Sequence, residues 1–324
     1  MRQGLGFGIM YTMERRKKSI PYVNDEVATR DFKYYIFDWD DNILHMPTRI
    51  RMEHLGDDGV WRPVEVSTAT FAMVRTDVEH YRPPTDGGWA AAFRNFEDRP
   101  GTNTFIEDTI AALEKIEHGE KPGPSYNAMK KTLREGRIFA IVTARGHSPE
   151  TIRKAVKVFI KYALTEAERE EMMSNLRGYR RWLDKTETFG SDAEELDYYL
   201  SMCRYAAVTY EGFRERMQAD PIYQEKLASA TLAAKPELAK EFAIRDFVEH
   251  IFHMLQRNGG LCRSVSIGFS DDDKGNVKSV SSYIRQELSK RFDGIKFVVY
   301  DTSDRSLAKG RKVCVSGQLN LPGF

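Results

Sequence analysis

Four short runs of apolar and β-branched residues alternate along the chain with segments of helical spacing. The runs lie at 33–37, 137–145, 264–269 and 296–304. Continuous runs of this length are typical of strands that are buried on both faces of a parallel sheet. Apolar residues at helical spacing predict helices over 104–117, 126–136, 148–164, 236–256 and 277–292. The alternation predicts an α/β fold with a doubly wound, Rossmann-like parallel sheet.

Two long segments interrupt this alternation. Residues 45–136 begin with two extended stretches around a Gly-Asp-Asp-Gly turn, which predicts a β-hairpin, and continue with a predicted helix over 67–78. Residues 164–234 are rich in Glu, Arg, Met and Ala and have little strand character apart from 205–210. We therefore predict a core that carries two insertions, the second of them a helical accessory insertion. The core is formed by 30–44, 137–163 and 235–324.

The first residues predict a flexible leader over 1–29. Gly4, Gly6 and Gly8 have phosphate-loop spacing, but no strand precedes them and no helical pattern follows. An apolar run followed by a basic cluster is the reverse of a signal peptide. Because no apolar stretch reaches roughly eighteen residues, we expect no membrane partner. The three cysteines are widely spaced, so we expect a cytoplasmic, reducing location.

Charge and composition exclude some classes of protein. The 324 residues include 49 Lys and Arg against 48 Asp and Glu, a formal net charge of +1. This balance provides no basic excess to neutralise a nucleic-acid backbone. The hydrophobic share of 41% is enough for a sizeable core and too high for a disordered chain.

Acidic and hydroxyl residues follow three of the predicted strands. Asp38 and Asp40 end the first strand, Thr143 ends the second, and Asp271 and Asp272 end the third. Ligands of open α/β sheets bind beyond the carboxyl ends of the strands. Each acidic turn alone is typical of a solvated strand end, but carboxylates gathered at one edge repel each other. A hard cation such as Mg²⁺, which prefers oxygen ligands, relieves that repulsion.

The same three strand ends carry a resemblance to a known family. YYIFDWDDNIL is similar to the first motif of the haloacid dehalogenase superfamily of phosphohydrolases, an apolar strand that ends in Asp-x-Asp-x-Thr/Val. FAIVTAR resembles the second motif, a strand that ends in Thr or Ser, and SIGFSDDDKGNV resembles the fourth, with paired aspartates. The matches cover three short segments within residues 33–301.

The resemblance implies a role for each matched residue. Asp38 would be the nucleophile that forms an aspartyl-phosphate, and Asp40 would be the general acid and base. Thr143 would donate a hydrogen bond to a phosphoryl oxygen. Mg²⁺ would be held by Asp38, the backbone carbonyl of Asp40 and Asp271, with Asp272 close by. The position of the 45–136 insertion implies a flap or cap over the active site.

The sequence departs from the family pattern at two places. Asn42 stands where the first motif has Thr or Val, so we expect altered packing there without lost activity. The third motif, a lysine that contacts nucleophile and phosphate, has two candidates, Lys235 and Lys240. We favour Lys240, although a solvated helix lysine is the ordinary interpretation of either.

Other candidates are explained more simply by structure. Arg145 and His147 follow Thr143, where a plain capping turn is the better interpretation. His250 and His253 have i, i+3 spacing but no third zinc ligand in register. Residues 177–185 mix arginine with aromatic residues, yet their acidic neighbours favour an ordinary solvated helix face.

The leading hypothesis is a Mg²⁺-dependent phosphatase that hydrolyses a phosphomonoester, with a small-molecule phosphorylated substrate. An enzyme that removes phosphate from nucleic-acid or nucleotide ends would share the chemistry and use the helical insertion as its binding surface. A catalytically idle member of the fold, acting as a binding or scaffold protein, is the third hypothesis. A phosphate-transferring mutase also remains open.

Overall fold

A computed structural model describes residues 22–185, 190–230, 235–258, 263–304, 306–307 and 309–316. The strands are β1 (Phe32–Phe37), β2 (Ile50–Leu55), β3 (Trp61–Val66), β4 (Tyr81–Arg82), β5 (Phe139–Thr143), β6 (Arg204–Ala207), β7 (Val265–Asp271), β8 (Ile295–Asp301) and β9 (Arg311–Ser316). The helices of the first half are α1 (Thr68–Val74), α2 (Gly88–Ala92), α3 (Thr104–Glu117), α4 (Tyr126–Arg134) and α5 (Pro149–Ala163). Those of the second half are α6 (Glu166–Asp184), α7 (Asp192–Met202), α8 (Glu211–Ala219), α9 (Pro221–Ser229), α10 (Lys235–Arg257), α11 (Lys274–Tyr283) and α12 (Ser289–Arg291).

The main sheet has six strands in the order β6-β5-β1-β7-β8-β9. Neighbouring strands are parallel except β9, which runs antiparallel to β8. All five residues of β5 are buried, and successive side chains point to opposite faces, so both faces are covered there. This confirms the prediction of an α/β fold with a mostly parallel sheet, and it is compatible with a Rossmann-like arrangement.

The β-hairpin prediction is confirmed, and a third strand joins it. β2 pairs with β3 from Ile50 opposite Val66 to Leu55 opposite Trp61, and β4 pairs with the other side of β2. This small antiparallel sheet has its own apolar cluster. The cluster contains Ile50, Met52, Val66, Ala92 and Phe96.

The rest of the predicted first insertion packs with the main core. Phe105 and Leu113 of α3 and Met129 and Leu133 of α4 belong to the same apolar cluster as β5. The separate small-sheet segment is therefore residues 50–96, shorter than the predicted 45–136 insertion.

The second predicted insertion, 164–234, also contributes to the main sheet. β6 lies within it and pairs in parallel with β5, from Ala140 opposite Arg204 to Thr143 opposite Ala207. Helices α6 and α7 place Met172, Leu176 and Tyr199 in the main core. The segment is thus largely helical, but it forms the edge of the sheet.

Residues 22–29, the end of the predicted leader, contact α6. The backbone N–H of Asn24 donates to the Ser174 carbonyl at 3.1 Å, and Val27 is fully buried. Gly4, Gly6 and Gly8, with their phosphate-loop spacing, lie outside the described residues, as does Cys262, one of the three cysteines. None of the described helices is both long enough and apolar enough to cross a membrane.

Candidate active site

The sheet order brings the three acidic and hydroxyl strand ends together. β1 lies between β5 and β7, with Phe37 opposite both Ile141 and Ser270. All three strands run in the same direction, so their carboxyl ends share one edge of the sheet. The backbone N–H of Asp38 donates to the Ser270 carbonyl at 3.1 Å, which continues the ladder by one residue.

Lys240 connects two of these strand ends. Its Nζ donates to Asp271 Oδ2 at 2.6 Å and to Asp38 Oδ1 at 3.2 Å. The three residues are between 1% and 6% exposed, so the ion pairs are almost completely shielded from water. Of the two candidate lysines, Lys240 therefore contacts the predicted nucleophile. Lys235 is the first residue of α10, and its side chain lies outside the described part of the chain.

Burial and crowding of carboxylates perturb the acids of this cluster. Burial raises the pKa of Asp38 well above its usual range, Lys240 opposes that shift, and Asp271 and Asp272 add to it. Burial also raises the pKa of Asp272 to about 8, with further contributions from Asp271 and Asp41. For Lys240 the effect of burial is to lower the pKa, but Asp271 and Asp38 raise it above its usual value. Burial and the neighbouring carboxylates therefore disfavour the ionised forms of Asp38 and Asp272, and Lys240 only partly offsets this.

Asp271 is fixed from its other side by the following turn. Its Oδ1 accepts hydrogen bonds from the backbone N–H of Asp273 at 2.9 Å and from Asn276 Nδ2 at 3.2 Å. Asp273 caps α11 by accepting from the N–H groups of Gly275 and Asn276. Among Asp271, Asp272 and Asp273, Asp273 therefore has a structural role as a helix cap, and Asp271 is oriented toward Lys240.

Asn42 is the centre of a buried hydrogen-bond network behind Asp38. Its Nδ2 donates to the Asp38 carbonyl at 2.9 Å and to Ser270 Oγ at 3.1 Å. Its Oδ1 accepts from Ser125 Oγ and Thr302 Oγ1, each at 2.8 Å. Asn42 is fully buried, and both ends of its amide are satisfied. The Asn42 amide thus supplies both the donor and the acceptor of this network, at the position where the resembled motif has Thr or Val.

Asp40 forms a two-point ion pair with Arg145. Arg145 Nε lies 2.8 Å from Asp40 Oδ2, and Nη2 lies 2.6 Å from Oδ1. Thr143 Oγ1 approaches the same carboxylate at 3.5 Å. The capping of α5 is done by Ser148, whose side chain accepts from the Thr151 N–H. Sequence reasoning favoured a capping turn for Arg145 and gave no signal for this pair, which joins residues that are 105 positions apart.

His250 and the arginines of 177–185, the remaining candidates, form hydrogen bonds and ion pairs within the protein. His250 Nδ1 lies 2.6 Å from Arg204 Nη2, and its Nε2 lies 2.8 Å from the Met202 carbonyl. Both ring nitrogens are therefore engaged, which argues against a zinc ligand. Within 177–185, Arg177, Arg180 and Arg181 each form an ion pair with a carboxylate of the chain.

Within the described ranges, no three His, Cys, Asp or Glu side chains are grouped so that side chains alone would hold a metal ion. The ligand set that the sequence resemblance implies differs in that it includes a backbone carbonyl, that of Asp40. Comparisons of this chain with protein-family models, with curated proteins and with solved structures find no match.

Proposed function

We propose that the chain is a Mg²⁺-dependent phosphatase of the haloacid dehalogenase type, with Asp38 as its nucleophile. The observation that carries the proposal is the contact of Lys240 with both Asp38 and Asp271 at the carboxyl ends of adjacent strands. The contact joins the segments that resemble the first and fourth motifs through one of the two candidate lysines of the third. A buried lysine between a nucleophilic carboxylate and a second carboxylate suits phosphoryl transfer, in which positioning and charge neutralisation provide most of the rate.

The donor chemistry of the site fits Mg²⁺. Asp38, Asp271 and Asp272 are carboxylates at one sheet edge, and burial and mutual repulsion raise the pKa of Asp38 and of Asp272. A hard divalent cation prefers such oxygen ligands and would relieve the repulsion. Asp38, Asp271 and the Asp40 carbonyl would hold it, with Asp272 beside them. When bound, the cation would neutralise charge on the transferring phosphoryl group.

The chain's own residues account for the two chemical steps. Asp38 attacks phosphorus, forming a carboxylate oxygen–phosphorus bond while the bond to the leaving oxygen breaks. Asp40 gives that oxygen a proton and later takes one from the water that attacks the aspartyl-phosphate, which releases inorganic phosphate. Lys240 holds the Asp38 carboxylate in place, and the Thr143 hydroxyl is available to a phosphoryl oxygen.

Release of inorganic phosphate from p-nitrophenyl phosphate and a panel of phosphorylated metabolites tests this function. The assay compares the wild type with Asp38→Asn, each with Mg²⁺ and with EDTA. The matched control is Asp197→Asn, because Asp197 is a half-exposed aspartate on α7 that pairs with Arg153 and Lys157. We expect turnover that requires Mg²⁺, disappears in Asp38→Asn and is retained in Asp197→Asn.

The same assay with 5′- and 3′-phosphorylated oligonucleotides separates the substrate classes. Release from oligonucleotides alone would identify a nucleic-acid end-processing phosphatase. Absence of Asp38-dependent release from both classes would contradict the proposal and favour an idle, binding role for the fold.

A further inference from the structure

Arg145 is one of the most deeply buried charged side chains of the described chain, at 1% exposed. Its guanidinium lies between two aromatic rings, 4.5 Å from the Phe96 ring centroid and 4.8 Å from that of Phe105. Two of its nitrogens contact Asp40, whereas Nη1 is buried and has no hydrogen-bond partner among the described residues. The two-point pairing with Asp40 and the contacts with both rings fix the position of the guanidinium.

The contacts of Arg145 include both connections of the small-sheet segment. Thr48 lies two residues before β2, and its Oγ1 accepts from Arg145 Nη2 at 2.9 Å while donating to Asp108 of α3. Phe96 ends the segment, and its carbonyl accepts from the Gly146 N–H at 2.8 Å. The chain therefore contacts Arg145 both where it enters the small-sheet segment, at Thr48, and where it leaves the segment, at Phe96.

We propose that Arg145 is a positioning residue for Asp40. Through Thr48 and Phe96 it also couples the position of that carboxylate to the position of the small-sheet segment. The inference rests on the proposed function, in which Asp40 moves protons at the leaving oxygen. The planar fork of arginine fixes both oxygens of a carboxylate, which a lysine cannot do. Because Arg145 is 1% exposed and its guanidinium pairs with Asp40, we assign it a role that is exerted through Asp40.

A double-mutant cycle on turnover of p-nitrophenyl phosphate tests this role. The variants are Arg145→Ala, Asp40→Asn and the double variant, assayed with Mg²⁺. We expect kcat of Arg145→Ala to fall by at least about tenfold while KM changes less than about threefold, since substrate contacts remain. In the Asp40→Asn background, loss of Arg145 has no further effect on kcat, because the carboxylate through which it acts is gone.

Chemical rescue separates positioning from general damage to the fold. Millimolar guanidinium chloride, well below denaturing concentrations, is expected to restore part of the kcat of Arg145→Ala and none of that of Asp40→Asn. Thr48→Val removes one contact of Arg145 without creating a large cavity, and we expect a smaller loss of kcat in the same direction. It keeps the test valid if Arg145→Ala does not fold.

Arg245 provides a matched control elsewhere in the chain. It is 6% exposed, pairs with Asp220 and lies over the rings of Tyr223 and Phe242 at 4.7 and 5.4 Å. We expect Arg245→Ala to lose stability comparably, to keep the wild-type kcat per folded molecule and to show no rescue by guanidinium.

Three results would overturn the role of Arg145 alone, given Asp38-dependent turnover in the wild type. They are an unchanged kcat in both Arg145→Ala and Thr48→Val, a raised KM with unchanged kcat in Arg145→Ala, and additive losses in the double variant. Absence of Asp38-dependent turnover in the wild type is a different result, which contradicts the proposed function and this role with it.

Discussion

Lys240 on α10 donates a hydrogen bond to Asp271 at the end of β7, with 2.6 Å between Nζ and Oδ2. The same amino group reaches Asp38 at the end of β1, so one cation is shared by two buried carboxylates of neighbouring strands. The cost of burying three charges is offset only if the geometry is kept, which makes Lys240 the residue on which the cluster depends.

Replacement of Lys240 by methionine removes the shared cation and leaves Asp38 and Asp271 as buried carboxylates. Breaking a buried pair in this way should lower the free energy of unfolding by about 3–5 kcal/mol at neutral pH. The deficit should shrink at lower pH, since burial raises the pKa of Asp38 and its protonation removes part of the unpaired charge. Urea denaturation at two pH values measures both effects.

The control for that experiment is Lys131→Met. Lys131 is exposed on α4 and lies 3.7 Å from Glu135, one turn along the helix. Because surface pairs contribute about 1 kcal/mol or less, this variant should be nearly as stable as the wild type. Equal stabilities of the two variants would contradict the account of Lys240.

Replacement of Asn42 by leucine should destabilise the protein by at least about 3 kcal/mol, because several buried polar partners lose their hydrogen bonds together. Asn42→Thr, which introduces a residue type of the motif that this strand end resembles, should fall between the leucine variant and the wild type. Asn258→Leu is the control, since Asn258 is exposed and its side chain donates to the Met254 carbonyl one turn back. Thermal or urea unfolding measures all three, and a leucine variant as stable as wild type would show that the network contributes nothing.

His147 should make stability fall on mild acidification. Burial, followed by the charge of Arg145, lowers the pKa of His147 to about 4 from an ordinary 6.5. Between these values the unfolded chain takes up a proton that the folded protein does not, so stability is full above pH 6.5 and declines toward pH 4. The loss is about 3 kcal/mol over this range.

Comparison of the wild type with His147→Phe isolates this effect. The phenyl ring keeps the stacked contact that His147 makes with Phe105, at a centroid distance of 4.7 Å, and cannot titrate. The difference in unfolding free energy between the two proteins should grow as pH falls from 6.5 to 4. A constant difference would contradict the assignment of the proton uptake to His147.

Local pattern was sufficient to predict the central strands and most of the helices. β1, β5, β7 and β8 are continuous apolar runs, and α5 begins at the predicted Ser148 cap. The sequence pattern places 205–210 within a helical insertion, because four residues, two half-buried and two buried, are too few to indicate a strand at the sheet edge. β9 was not predicted at all. Its place is set by pairing with β8, which local sequence does not encode.

The candidate site was predictable where it follows strand ends and unpredictable where it depends on long-range contacts. The strand-end rule located Asp38, Thr143 and Asp271. The family resemblance favoured Lys240 for the third motif, and its contacts with Asp38 and Asp271 support that choice. The partners of Asn42 and the pairing of Arg145 with Asp40 come from segments 83 to 260 residues apart along the chain. Neither the periodicity of apolar residues nor the spacing of motifs predicts contacts between segments so far apart in the sequence.

Trapping of the covalent intermediate tests the central claim most directly. The protein is mixed with p-nitrophenyl phosphate and Mg²⁺, quenched in acid during turnover and digested with trypsin, which releases residues 34–49 as one peptide. We predict that mass spectrometry finds this peptide carrying one added phosphoryl group located on Asp38, and that Asp38→Asn shows none. Turnover of substrate with no phosphoryl group on Asp38, or with the group on another residue, would contradict the account.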